Sequence, residues 1–203
     1  MTTIVGIQGD GFAVLCTDSR ISSFDSSGNA YQITTLGAGT SKIAVNGKYL
    51  LGAAGDVRAI NILHYSFLPP TPTPQTRGKK LDAFITNKFV PSLRHCFDEQ
   101  GYSTPPDADK DHVAEQGSTI LAVINATIYI IESDYSWTSD TNGIYAIGSG
   151  APYALGAMQA LQPKIRPTIQ QAKNIAVKAL TVATKFDPYT GAPFQTFTQD
   201  ITK

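Results

Sequence analysis

Apolar, β-branched residues cluster from the second position onward. Thr2-Thr3-Ile4-Val5-Gly6-Ile7 precedes a Gly9-Asp10-Gly11 turn, and Phe12-Ala13-Val14-Leu15-Cys16 follows it, which predicts a hairpin almost from the N-terminus. Ser22 to Asn29 is rich in Ser and Gly and reads as a loop, with strand signals resuming from Tyr31 to Leu36. Lys42 to Val45 and Tyr49 to Ala54 flank Asn46-Gly47, a dipeptide suited to a two-residue hairpin turn. Asp56 is placed to cap a helix in which Val57, Ile60, Leu63, His64 and Phe67 share one face, and Leu68-Pro69-Pro70 ends it. Pro69 to Pro74 has polyproline character and reads as a stiff loop in preference to a docking ligand. Leu81, Phe84, Ile85, Phe89, Leu93 and Phe97 mark a second helix, with Pro91 a candidate kink, and Gly101 to His112 reads as a loop.

Strands are expected again over Ser118 to Ile124, Thr127 to Ile131 and Ile144 to Ile147. Gly148-Ser149-Gly150 opens a helix with Pro152 in its first turn, ending before Pro163. A last helix starts near Pro167-Thr168 and buries Ile169, Ala172, Ala176, Ala179, Leu180 and Ala183, and Pro193 to Ile201 returns as an edge strand. Strands, two helices, strands, two helices and a strand, without βαβ alternation, predict an α+β class. The expected form is a four-layer αββα sandwich, two mainly antiparallel sheets between helical layers, as one domain over residues 1–203.

Composition removes several functions. Lys plus Arg and Asp plus Glu both number 16, and no run of Lys or Arg exceeds a pair, so no nucleic-acid partner is expected. No apolar stretch approaches the roughly 20 residues that cross a bilayer, and no secretory signal opens the chain, so no membrane association is expected either. Cys16 and Cys96 are too few for a disulfide scaffold or zinc site; both are expected to be buried thiols in a cytoplasmic protein. His64, His95 and His112 are the only histidines, and none stands at a metal-ligand spacing, so no metal is expected. Gly148-Ser149-Gly150 at a helix start is only a weak phosphate-loop signal, being neither GxGxxG nor followed by lysine, and no cofactor is expected.

Six segments carry a resemblance: TTIVGI, CTDSR, SKIAV with LLGAAGD, YAIGSGAPYALGAMQAL and AVKALTVATKFDPYTG. In this order and over nearly the whole chain they resemble the active subunits of the proteasome family. That family includes the β-subunits of the 20S proteasome and the peptidase subunit of the bacterial HslUV protease. The resemblance implies the N-terminal-nucleophile hydrolase fold and a threonine-type endopeptidase without a cofactor. Thr2 would be the nucleophile after Met1 is removed, with its own α-amine as base, and the opening then has no room for a propeptide.

Matched motif by motif, Lys42 is similar to the family's catalytic lysine, Asp18 to the aspartate that holds it, and Gly55 to the oxyanion-stabilising amide. Ser149, Asp187 and Thr190 resemble the groups that orient the terminal amine and a water. Ile21, Thr40, Ala44, Ala53 and Val57 match the first substrate pocket, and their small or apolar character implies cleavage after hydrophobic residues. Taken singly, Asp18 could end a strand, Lys42 be solvated and Gly55 begin a helix; their joint occurrence with Thr2 favours chemistry. Thr190 stands where the family commonly has serine, Pro188 sits beside it, and the Ser22 to Thr40 connection and Pro69 to Lys80 insertion are departures that touch subunit packing. The implied partners are further copies of the chain in a ring of 12 or 14, an ATPase unfoldase, and unfolded protein or peptide substrates. Two other readings stay open: a non-proteolytic structural ring subunit, favoured if Met1 is retained, and a small-molecule amidase of the same nucleophile class.

Overall fold

The computed structural model describes residues 2–37, 39–103, 115–162 and 167–201. The opening hairpin consists of β1 (Thr3–Gln8) and β2 (Phe12–Asp18). β1 also pairs antiparallel with β10 (Ile144–Gly148), and β2 with β11 (Phe194–Asp200), giving the sheet order β10-β1-β2-β11. Side chains alternate across this sheet, so one register supplies two layers. Val5, Ile7, Val14 and Cys16 pack under α4 (Ala151–Leu161) and α5 (Ile169–Phe186), against Ala172, Ala176, Ala179 and Leu180. The alanines of α5 let that helix lie close to the sheet. Its start is fixed by a reciprocal cap, in which Gln171 N–H donates to Thr168 Oγ1 at 3.3 Å and Thr168 N–H to Gln171 Oε1 at 2.9 Å.

The second sheet has the order β5 (Ile43–Asn46), β6 (Tyr49–Gly55), β7 (Ser118–Ile124), β8 (Thr127–Ile131), β9 (Trp137–Thr138), antiparallel throughout. Its outer face carries Ala44, Leu51, Ala53, Ile120 and Ala122 beneath α1 (Val57–Tyr65) and α3 (Val90–Glu99). Ile43, Leu50, Leu121 and Val123 point inward, meeting Ile4, Ala13 and Leu15 of the first sheet. Burial of each large apolar side chain contributes about 1.5–3 kcal/mol. Two sheets with apolar residues on both faces therefore hold four layers together, the αββα architecture expected.

Local differences from the sequence reading have identifiable causes. The loop expected over Ser22 to Asn29 is shorter: β3 (Arg20–Phe24) continues through Ser22 and Ser23, which pair with Ile33 and Gln32 of β4 (Ala30–Thr35). Only Asp25 to Asn29 turns, held by the Asp25 carboxylate accepting the Ser27 and Asn29 N–H groups at 2.9 Å each. The helix expected through Phe97 is α2 (Lys79–Phe84), a wider π-type turn at Ile85–Phe89, and then α3. The widening precedes Pro91, whose ring and missing N–H are incompatible with a regular turn there, and it still keeps Ile85 and Phe89 buried. The two-residue β9 is too short to leave a periodic signal. Cys16 is buried as expected, whereas Cys96 is only half-buried.

The polyproline segment is strapped to the body. Tyr49 Oη donates to Pro70 O at 2.7 Å, and Asn125 Nδ2 to Thr73 O and Thr76 O at 3.0 and 3.1 Å. These bonds occupy carbonyls that a docking ligand would present. Among the described residues no helix is long and apolar enough to cross a membrane, and no group of three or more His, Cys, Asp or Glu could hold a metal ion. Met1, His112 and Pro163 lie outside the described residues.

Candidate active site

The end of β2 carries Asp18, and Lys42 immediately precedes β5; their sheets bring both side chains into the interior with no exposed area. Lys42 Nζ donates to Asp18 Oδ1 at 2.6 Å and to Arg20 O at 2.5 Å. The carboxylate also accepts three backbone N–H groups, from Thr3 on Oδ1 at 3.0 Å and from Arg20 and Gly191 on Oδ2 at 3.1 Å each. Such saturation is what a buried ion pair requires to offset its desolvation. Burial holds the Lys42 ammonium below the ordinary lysine range; the charges of Asp18 and Asp187 act against that displacement and Arg20 adds to it.

Thr3 N–H and Lys42 Nζ share Asp18 Oδ1, so the peptide bond between Thr2 and Thr3 is held beside the ammonium. On the other side, Ser149 N–H donates to Thr2 O at 2.9 Å, extending the β1 to β10 pairing in which Thr3 faces Gly148. Gly148 has φ +92°, and a Cβ there would run into the Thr2 carbonyl. A chain of hydroxyls follows. Gly150 N–H donates to Thr3 Oγ1 at 3.0 Å, Thr3 Oγ1 lies 2.6 Å from Thr190 Oγ1, and Thr190 Oγ1 donates to Asp187 Oδ2 at 2.5 Å. Ser149 Oγ donates to the same Asp187 oxygen at 2.8 Å. Thus Ser149, Asp187 and Thr190, more than 35 residues apart in sequence between the first two, converge on one oxygen.

Thr2 borders a depression of ≈ 230 Å³ lined also by Ala54, Gly55, Thr119, Gly148 and Ser149. Gly55 has φ +137°, and a Cβ there would collide with the Gly117 carbonyl and lie 2.7 Å from Ser118 Oγ. Only glycine fits at the junction of β6 with α1. Asp56 Oδ1 accepts the Arg58 N–H at 2.8 Å as the helix cap, and Asp56 N–H donates to Ser118 Oγ at 3.2 Å.

Ile21, Thr40, Ala44, Ala53 and Val57 do not line this depression. Ala44 and Ala53 belong to the outer layer under α1, Ile21 pairs with Thr34 in the β3–β4 ribbon, Thr40 is exposed with its carbonyl accepting Gln195 Nε2 at 3.0 Å, and Val57 is partly exposed. Ala54, which faces the intersheet core, borders the depression. A larger groove of ≈ 450 Å³ between β5 and β11 contains Val45, Lys48, Tyr49 and Gln199. Thr2 and Gly55 border the smaller depression and not this groove.

Several contributors carry no side-chain signal in the sequence. Arg20, inside CTDSR, gives its carbonyl to Lys42 and its guanidinium to Pro188 O at 2.6 Å, which anchors the proline flagged beside Thr190. Gly150 and Gly191 act through backbone N–H groups. Thr3 stood in full view within TTIVGI, but its fully buried hydroxyl gains meaning only from the fold.

No family model matches the sequence. The chain is 26% identical over 192 residues to the "ATP-dependent protease subunit HslV" of Petrotoga mobilis, covering 93% of this chain and 92% of that protein. Among solved structures it is similar to Thiobacillus denitrificans BPH in complex with epoxomicin, with a TM-score of 0.72 at 20% identity and full coverage of both chains. It is also similar to the eukaryotic HslV from Trypanosoma brucei, with a TM-score of 0.61 at 17% identity, over 98% of this chain and 99% of that one. Similar to an HslV protease subunit along nearly its whole sequence, the chain has the N-terminal-nucleophile hydrolase fold.

Proposed function

We propose that this chain is a threonine-type endopeptidase subunit of a self-compartmentalised ring protease, with Thr2 as nucleophile after Met1 is removed. The observation that carries this reading is the asymmetry between adjacent threonines. Thr3 is sealed in the hydroxyl chain and gives its N–H to Asp18, while Thr2 borders an open depression next to Gly55. A freed Thr2 amine has a reference pKa of about 7.7–8.0 and acts as the base at near-neutral pH. It takes the Oγ1 proton as the oxygen attacks the scissile carbonyl carbon. The Gly55 N–H stabilises the resulting oxyanion. Collapse breaks the C–N bond, the protonated amine passes its proton to the leaving amine, and water then hydrolyses the ester on Thr2.

Lys42, fixed by Asp18, keeps the amine neutral and the hydroxyl more acidic through its charge. Asp187 with Ser149 and Thr190 orients the amine and the hydrolytic water. The whole of residues 1–203 acts as one domain, assembled as a ring of 12 or 14 copies in the cytoplasm. A partner ATPase supplies unfolded protein, a reading supported by the Petrotoga mobilis relative's name as an ATP-dependent protease subunit.

Intact mass and hydrolysis of fluorogenic peptides test the proposal together. The expected result is a chain lacking Met1, and loss of at least about 10³-fold in kcat/KM on Thr2→Ala. Equal hydrolysis by Thr2→Ala, or none by a chain with a free Thr2, overturns it.

A further inference from the structure

We propose that His64, near the end of α1, is a positioning residue for Lys42, acting through the carbonyl of Ser41; this rests on the role proposed above for Lys42. His64 Nε2 lies 2.9 Å from Ser41 O. A carbonyl oxygen only accepts, so the facing ring nitrogen carries a hydrogen in either the neutral Nε2–H tautomer or the imidazolium.

The contact matters because β5 is the edge strand of its sheet and pairs with β6 alone. The strand is fastened at both ends to α1 and the residues that follow that helix. His64 holds Ser41 O at the beginning, and Asn46 Nδ2 donates to Leu63 O and Phe67 O at 3.0 and 2.6 Å at the other end. Ser41 Oγ also accepts the Ile43 N–H at 3.0 Å, closing a small ring around Lys42, whose side chain then spans to Asp18 Oδ1 and Arg20 O.

Lys42 O accepts a long bond from the Ala53 N–H at 3.3 Å, while the side chain that meets Ser41 O is His64. A cavity of ≈ 320 Å³ lies beside it, lined by Ser41, Ile43, Val45, Gln195 and Phe197, so residues 39–41 have room to shift when the fastener is lost. Gln195 Nε2 donates to the carbonyls of Gly37 and Thr40 and, among the described residues, not to Ser41 O. Because α1 starts just after Gly55 and Asp56, the same helix is attached to the oxyanion donor at one end and to the lysine strand at the other. A shift of about 1 Å at a reacting group costs up to about 10²-fold in rate. A partly retained strand should lose about 10-fold.

The test compares His64→Asn, whose amide is too short to reach Ser41 O, with His64→Gln, whose amide nitrogen can stand where Nε2 stood. Two readouts are taken in the assembled protein: kcat and KM for a fluorogenic peptide across pH, and the titration of Lys42 followed by ¹³Cε NMR in a lysine-labelled, deuterated background. This titration is set by burial and by the charged neighbours Asp18, Arg20 and Asp187, with the freed Thr2 amine as a further titratable group beside it. The expected result for His64→Asn is kcat down about 10-fold at constant KM. Its alkaline limb and its Lys42 titration both move to lower pH, and His64→Gln restores all three. An unmoved Lys42 titration in His64→Asn, or a His64→Gln variant as impaired as His64→Asn, overturns the proposal. If Thr2→Ala hydrolyses peptide like wild type, the peptidase reading fails separately, and the NMR titration still decides the role of His64.

Discussion

Replacing Asp18 by Asn keeps the shape of the side chain and removes its charge, which makes the buried ion pair measurable. One amide orientation puts the oxygen on the Arg20 and Gly191 N–H groups and turns NH2 toward Lys42 Nζ and the Thr3 N–H, donors that sit 2.6 and 3.0 Å from the present oxygen. The other orientation satisfies Lys42 and Thr3 and faces NH2 against two backbone donors. Either way two donors lose their acceptor, at about 1–3 kcal/mol each. The lysine also loses its counter-charge, and breaking a buried pair from one side costs about 3–5 kcal/mol in total. For a chain of this length that is a fall in Tm of roughly 6–20 °C. Thermal unfolding by circular dichroism at one fixed protomer concentration measures it. Lys42→Met should cost a similar amount by stranding the carboxylate. The double variant should be less destabilised than the sum of the two by at least about 2 kcal/mol, since no orphan charge remains. A loss below about 1 kcal/mol for Asp18→Asn, or additive losses in the double variant, would falsify the view that these two groups depend on each other.

Two further expectations concern activity. Gly55→Ala forces a Cβ against Gly117 O and into a positive-φ backbone, so the β6–α1 junction must move and the candidate oxyanion donor with it; kcat should fall about 10²–10³-fold, and full activity would refute that role. The pH profile of kcat/KM should be bell-shaped. Its acid limb rises as the Thr2 amine, at or below about 8, loses its proton, and its alkaline limb falls where Lys42 loses its own, below the ordinary 10.5. Lys42→Arg, whose cation does not titrate in this range, should abolish the alkaline limb in whatever activity it retains; a limb at the same pH assigns the titration elsewhere.

The layers were legible because each rests on a pattern with a physical cause. The continuous apolar runs of β1 and β2, the Asn46-Gly47 turn and the alanine face of α5 each specify a burial or a pairing that is found. What escaped lies where tertiary contacts override local signal. Ser22 and Ser23 have weak strand propensity, but pairing with Ile33 and Gln32 recruits them into β3. The π-type turn at Ile85–Phe89 answers to Pro91 and to the need to keep Phe89 against Tyr49, their rings stacked 5.1 Å apart, which periodicity alone does not reveal.

For the site the division runs between side chains and backbone. Asp18, Lys42, Asp187, Ser149 and Thr190 are chemically conspicuous, and the structure brings them into two clusters linked through Thr3. The N–H groups of Gly150 and Gly191 and the carbonyls of Arg20 and Ser41 do as much positioning, yet every residue has such groups, so nothing in the sequence singles them out. The wall of the depression shows the same logic at its sharpest. Ala53 and Ala54 are chemically identical neighbours in β6, and a strand sends consecutive side chains to opposite faces. Ala53 therefore packs beneath α1 while Ala54 borders the space beside Thr2. A one-residue slip would exchange their duties. That register is set by Leu51 and Ala53 facing the helices and Leu50 and Ala54 facing the other sheet, so the intersheet core decides which alanine a bound peptide would meet.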